Sequence, residues 1–93
     1  MSLLSSIEIE IKLKKVDNWI FRDNKITKIF SFSNYMDGVI FVNKIAIFSE
    51  KKKHHPDIFL GWCEVSLSFT SHDKGGVTQA CIDMADKINR IIV

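Results

Sequence analysis

Cys63-Glu64-Val65-Ser66-Leu67-Ser68-Phe69 alternates apolar and polar side chains without a break. In an extended chain successive side chains point to opposite faces. Cys63, Val65, Leu67 and Phe69 therefore share one side, and Glu64, Ser66 and Ser68 the other. A strand with one apolar and one wet face belongs to an antiparallel sheet covered on a single side. This pattern predicts an α+β fold, with the helices gathered on one face of the sheet. Just upstream, Ile58-Phe59-Leu60 followed by Gly61 reads as a short partner strand and its turn.

Two polar, turn-like segments flank this strand pair. Glu50-Lys51-Lys52-Lys53-His54-His55-Pro56 stands before it, and Thr70-Ser71-His72-Asp73-Lys74-Gly75-Gly76-Val77-Thr78 after it. All three histidines of the chain lie in these segments. Imidazole is the side chain whose ordinary pKa sits near neutrality, so it takes and gives protons at working pH. One loop histidine is commonplace, but three gathered on both sides of one strand suit joint use. Pro56 disfavours helical backbone at His55, so a helix arriving from upstream must end there. Gly75 and Gly76 allow unusual backbone angles or the close approach of a ligand.

Further out, residues 34–52 read as a long helix capped by Ser33 or Asn34. Its apolar residues form two stripes. Gly38, Phe41, Val42, Ile45 and Phe48 make one at helical spacing; Met36, Ile40 and Ile47, with Asn43, make another on roughly the opposite side. A surface helix of a monomer is polar there, so a second subunit is the expected cover. Before it, residues 19–21 and 26–32 read as two strands joined by Arg22-Asp23-Asn24-Lys25, in which Asp23 and Asn24 tolerate left-handed backbone. Ile26, Lys28, Phe30 and Phe32 share a face of the second strand. Residues 5–16 admit two readings. Ile7, Ile9, Ile11 and Leu13 alternate with charges like a strand, while Ser5-Ser6-Ile7-Glu8 fits a helical capping box and Leu4, Ile9, Leu13 and Val16 a helical stripe. After the glycines, Thr78 is the expected cap of a last helix carrying Ile82, Ala85, Ile88 or Asn89, and Ile92.

The chain has 93 residues, enough for a single domain spanning 1–93 with a modest core. A hydrophobic share of 46% is that of a globular chain, and a net charge of +2 gives no footing for nucleic acid beyond the short run Lys51-Lys52-Lys53. Cys63 and Cys81 are too few for a disulfide framework, which points to free thiols in a reducing compartment. The N-terminus has no basic segment followed by an apolar run, and the longest apolar run, Val39-Ile40-Phe41-Val42, is far too short to span a bilayer. A cytoplasmic protein with no membrane contact is the expectation.

Glu50, His54, His55, Pro56 and Asp57, an aromatic at Trp62, then Val65, Leu67, Thr70, His72, Gly75, Gly76 and Thr78 form a long compound pattern. It resembles the pterin-4a-carbinolamine dehydratases. Trp19, Phe30, Phe32, Phe41 and Ala46 also fall at that family's spacing. Lys28, Cys63 and Cys81 depart from it, standing where Arg, Asn and Asp are usual. The resemblance implies that residues 5–16 are helical. The order is then α-β-β-α-β-β-α, with the helices on one face of a four-stranded antiparallel sheet, and Ile7 and Ile11 lie off the core. It also implies a pterin substrate, 4a-hydroxy-tetrahydropterin, dehydrated to the quinonoid dihydropterin in tetrahydrobiopterin recycling, and a homotetramer built as a dimer of dimers.

Removing water from a carbinolamine takes a base for the N–H proton and an acid for the departing hydroxyl. Neither step requires a metal or an organic cofactor, and none is expected. The resemblance makes His54 and His72 the acid–base pair, with roles unassigned. His55 completes the catalytic histidines and, with Pro56, shapes the pocket; Ser71, Asp73 and Lys74 contact the pterin. Glu50, Trp19 and Cys81 are supporting candidates, Glu50 as a group that orients an imidazole. Three histidines also suit zinc, but adjacent His-His side chains diverge and no Cys or Asp stands at ligand spacing. A carboxylate at position 81 would cap the last helix, a task a thiol performs poorly. Relatives of this family also serve as dimerisation cofactors of a transcription factor. The alternative function is therefore a non-catalytic interaction module docking through helix 34–52.

Overall fold

The computed structural model describes residues 2–91; the expected Ile92 position lies outside the described residues. In chain order the elements are α1 (Ser6–Leu13), β1 (Ile20–Arg22), β2 (Lys25–Ser31), α2 (Tyr35–Lys52), β3 (Asp57–Leu60), β4 (Glu64–Phe69) and α3 (Gln79–Ile91). The four strands form one antiparallel sheet in the order β1-β2-β4-β3. The α+β class and the element order are as the sequence predicts.

Register sorts the side chains into two faces. Phe21, Ile26 and Phe69 stand side by side across three strands; so do Lys28, Leu67 and Ile58, and then Phe30, Val65 and Leu60. These rows face the helices, and Ile26, Val65, Leu67 and Phe69 are wholly buried. The other face carries Thr27, Ser66 and Ser68, with Ile20, Ile29 and Phe59 exposed among them. The β1–β2 turn is tighter than residues 22–25. Asp23 and Asn24 alone make it, with φ of 53° and 62°, the left-handed pair that matches the twist of a two-residue hairpin.

α1 settles the ambiguity at residues 5–16 in favour of the helix. Ser5 Oγ accepts from the Glu8 amide at 3.1 Å, and the Ser5 amide donates to Glu8 Oε1 at 2.9 Å. This reciprocal pair satisfies amides that a strand would offer to a neighbour. Ile9, Leu13 and Val16 enter the core, while Ile7 and Ile11 stay exposed, as expected of residues off the core stripe. The alternation that suggests a strand comes from that exposed pair. The segment between α1 and β1 is tied to α3 through Asn89. Its Oδ1 accepts from Trp19 Nε1 at 2.9 Å and Lys28 Nζ at 2.8 Å, and its Nδ2 donates to the Asp17 carbonyl at 3.1 Å.

α2 begins at Asn34, whose Oδ1 accepts from the Asp37 amide at 2.8 Å. Gly38, Phe41, Ile45 and Ser49 are buried against the sheet, and Val42 and Phe48 are partly so. At Gly38 the helix lies close to the sheet: a Cβ there would touch the Leu60 and Val65 side chains, each at 3.4 Å. Met36, Ile40 and Ile47 remain exposed. The helix ends with paired turn bonds: the His54 amide donates to the Ser49 carbonyl at 3.2 Å and the Lys53 amide to the Glu50 carbonyl at 3.3 Å. This is the Schellman arrangement, with Lys53 at the left-handed position (φ 54°) that glycine usually fills. A Cβ in that conformation is strained. Lys53→Gly should therefore raise stability by roughly 1 kcal/mol, read as a rise in the urea midpoint at constant m-value.

Candidate active site

The end of α2, the end of β4 and the start of α3 meet at one corner of the molecule. Phe69, the last buried residue of β4, presents its ring to the His54 imidazole. The two are stacked with centroids 5.5 Å apart and planes 6° from parallel. Pro56 and the Schellman turn fix the backbone that delivers His54 there. Lys53, His54, His55, Thr70, Ser71, His72 and Asp73 line an open cleft of about 260 Å³. Thus the histidines of two segments, separated by β3 and β4 in the chain, meet in one place. A larger cavity of about 540 Å³ lies at the β1–β2 end among Ile20, Arg22, Thr27 and Ile29, and no imidazole lines it.

The loop bearing His72 is closed on itself. The Ser71 amide donates to the Gly76 carbonyl at 2.7 Å, and the Gly75 amide to the Ser71 carbonyl at 2.8 Å, with Gly75 at φ 77°. It is braced from outside by residues that sequence reasoning did not assign to the site. Thr70 Oγ1 donates to the Asn24 carbonyl at 3.0 Å, and Asn24 Nδ2 lies 3.4 Å from the Gly75 carbonyl. Leu3 pairs with Thr78, and the Leu4 amide donates to the Val77 carbonyl at 2.9 Å. A Cβ on Gly76 would sit 3.1 Å from the tip of the exposed Leu3 side chain. Asp23-Asn24 is legible as a turn, but nothing in a turn signature says which distant loop it will touch.

The supporting candidates fall in three different places. Glu50 Oε2 is hydrogen-bonded to Nε2 of His55, so it orients the second imidazole of the pair; both partners are exposed. Trp19 is a core residue outside the cleft lining, 5.9 Å from Phe69 ring to ring, and reaches His54 only through that ring. Cys81 corrects the capping expectation. It is the third residue of α3, but its side chain is fully buried and turned inward, with Sγ 3.3 Å from His54 Nε2. Thr78 precedes α3, and its carbonyl accepts from the Cys81 amide at 3.1 Å; its hydroxyl meets Ser71 Oγ at 3.0 Å. Pro56 is half-buried beside the cleft, and Lys74 is exposed in the turn without lining it. Lys53 and Thr70, the latter part of the compound pattern but neither of them a candidate site residue, also join the lining. Among the described residues, no three of His, Cys, Asp and Glu are grouped so as to hold a metal ion.

Burial holds the His54 pKa below its ordinary value of 6.5, and positive charge on His55 and His72 adds to the effect while Asp73 opposes it. At neutral pH the arrangement offers an uncharged imidazole, able to accept a proton, facing other imidazoles across an open cleft.

The family model for pterin 4 alpha carbinolamine dehydratase matches residues 2–91. A protein of Roseiflexus sp. (strain RS-1) is 39% identical over 89 residues, covering 96% of each chain. One of Sulfolobus acidocaldarius is 36% identical over 88 residues, covering 95% of this chain and 97% of its own. Both carry the name "Putative pterin-4-alpha-carbinolamine dehydratase". The crystal structure of a transcriptional coactivator/pterin dehydratase from Brucella melitensis superposes with a TM-score of 0.90 at 32% identity, over 97% of this chain and 98% of that one. A pterin dehydratase-like RuBisCO assembly factor of the alpha-carboxysome shares the fold, with a TM-score of 0.64 at 20% identity.

The His54 environment makes stability depend on pH. The unfolded chain binds a proton at this residue near pH 6.5, the folded chain only at lower pH. The penalty is absent well above 6.5, enters as pH falls through that value, and is complete below the folded pKa. Thermal melts of wild type and His54→Gln between pH 8 and 5 should show wild type losing more melting temperature on acidification; parallel curves would contradict it.

Proposed function

The chain belongs to the pterin 4 alpha carbinolamine dehydratase family, and from that premise we propose that it dehydrates 4a-hydroxy-tetrahydropterin to quinonoid dihydropterin and water. The observation that carries the reading is the meeting of His54, His55 and His72 in one cleft. A base takes the proton from the nitrogen attached to the carbinol carbon. The freed electron pair forms the C=N bond, the C–O bond breaks, and an acid protonates the hydroxyl so that it leaves as water. His54 and His72 are the acid–base pair. His55, held by Glu50, and Pro56 shape the cleft, while Ser71, Asp73 and Lys74 contact the pterin, partly through the closed loop backbone. The setting is tetrahydrobiopterin recycling in the cytoplasm. For the location, the support is that no helix among the described residues is long and apolar enough to cross a membrane.

The exposed stripe of Met36, Ile40 and Ile47 on α2 supports a homotetramer, a dimer of dimers with one contact through α2 and another through an edge strand. The same stripe favours the second reading, an interaction module that docks a transcription factor through α2. Turnover separates the two.

In a direct assay with a 4a-hydroxytetrahydropterin, His54→Ala and His72→Ala should each lose about 10²–10⁴ in kcat, the usual worth of a placed acid or base. Circular dichroism should show both variants folded. Turnover near wild type in both would refute the mechanism. Light scattering should give a tetramer at micromolar concentration, and Ile40→Glu should split it while leaving the fold, because the new charge would be desolvated without a partner. A wild-type monomer would refute the assembly.

A further inference from the structure

Behind His54 lies a small buried cluster of polar groups. Ser71, Thr78 and Cys81 are 8%, 1% and 0% exposed. Their three side-chain contacts form a triangle: Ser71 Oγ to Thr78 Oγ1 at 3.0 Å, and each hydroxyl to Cys81 Sγ at 3.7 Å. A fourth contact joins Sγ to His54 Nε2 at 3.3 Å. Each of the two hydroxyls and the thiol carries a single hydrogen. The three contacts of the triangle use those three hydrogens. With one hydrogen in each of the four contacts, that of the fourth comes from the imidazole, Nε2–H donating to sulfur. Neutral imidazole has one ring hydrogen, so Nδ1 is left bare and is the nitrogen free to meet a bound molecule.

We propose that Cys81 is a positioning residue for His54: its sulfur, backed by Ser71 and Thr78, fixes the Nε2–H tautomer and so makes Nδ1 of His54 the base that accepts the substrate N–H proton. The assignment rests on the dehydratase reading and goes further, because it separates the roles of the two imidazoles and leaves the acid to His72. The logic is that of any imidazole base whose far nitrogen is held by a partner, which sets tautomer and orientation together. Stacking on Phe69 fixes the ring plane and the sulfur fixes its rotation in that plane. A sulfur acceptor differs from a carboxylate in a way that matters. It does not supply the full negative charge that would stabilise the imidazolium. The charged or titratable groups around the ring are then Lys53 and His55 of its own segment, with Glu50 bound to His55, His72 and Asp73 of the facing loop, and Cys81 of α3; β4 presents only Phe69.

The test reads the ring directly, by long-range proton–nitrogen NMR correlation spectra of the histidines in wild type, Cys81→Ser, Cys81→Ala and Cys81→Asp, with kcat and KM measured alongside. Wild-type His54 should carry its proton on Nε2 when neutral. Cys81→Ser, of nearly the same shape, should keep that tautomer and most of the activity. Cys81→Ala should mix the tautomers and lower kcat by roughly 10–100-fold, the usual loss when the partner of a working imidazole is removed, with KM little changed. Cys81→Asp should raise the His54 pKa and carry the acidic limb of the kcat profile to higher pH. A proton on Nδ1 in wild type overturns the proposal. So do spectra of Cys81→Ala and Cys81→Asp that match wild type, even if pterin turnover is normal. Should the spectra behave as expected while every form lacks turnover, the pairing stands and the dehydratase reading fails.

Discussion

Burial of Phe69 is the constraint on which both the core and the cleft depend. It ends the row Val65, Leu67, Phe69, and its ring is wholly removed from water, a gain of about 1.5–3 kcal/mol for such a side chain. One side packs on Trp19, which is itself held by Asn89 of α3; another carries the His54 ring. The same aromatic group therefore anchors α3, the segment before β1 and the imidazole. A smaller residue at 69 would leave a void under His54 and loosen the ring that the chemistry needs still. Packing and site geometry are one problem here, because the sheet has only four strands and the last buried position of β4 already backs the His54 ring that lines the cleft.

The cleft combines exposed side chains with a fixed backbone. His72 and Asp73 face water, yet the loop that bears them is closed by Ser71 and Gly76 and gripped by Asn24 and by Leu3 and Leu4. Each of these bonds has a backbone group at one end or both, and none uses the side chains of His72 or Asp73, which stay turned to the solvent where a ligand would arrive. Ordering the backbone in advance removes an entropy cost that binding would otherwise carry. The N-terminal residues thus act on the site without touching the cleft.

How far the sequence could be read follows from which interactions are local. The alternation at residues 63–69, the Asp23-Asn24 turn, the Asn34 cap and the two-sided helix 34–52 are legible because each rests on neighbours in the chain. Joint use of the histidines was legible from their placement in two polar segments flanking one strand pair, but their meeting point was not, since it depends on β3 and β4 folding back. Residues 5–16 were ambiguous because Ile7 and Ile11 are exposed apolar side chains, and periodicity assumes that apolar means buried. The inward turn of the Cys81 side chain was not legible for a related reason. Its number in the helix allows a cap, but which way its side chain turns depends on α3 packing against the end of β4. Glu50 was read as able to orient an imidazole, and it meets His55, because the left-handed Lys53 swings His54 inward and leaves its neighbour outside.

α2 joins the two functional readings of the molecule. It is 18 residues long, about 27 Å at 1.5 Å per residue. Its buried side fits Phe41 and Ile45 to the sheet, its exposed side offers Met36, Ile40 and Ile47, and its last turn launches His54. A helix this long moves as a unit when pushed from one side, since its interior bonds resist local bending. A protein seated on the exposed stripe would bear on the same rod whose end places the imidazole. The Ser49 carbonyl makes the link concrete: it belongs to the buried face of α2 and accepts the His54 amide. Anything that shifts the helix along or about its axis therefore shifts His54 against Phe69 and Cys81, the two contacts that hold its ring.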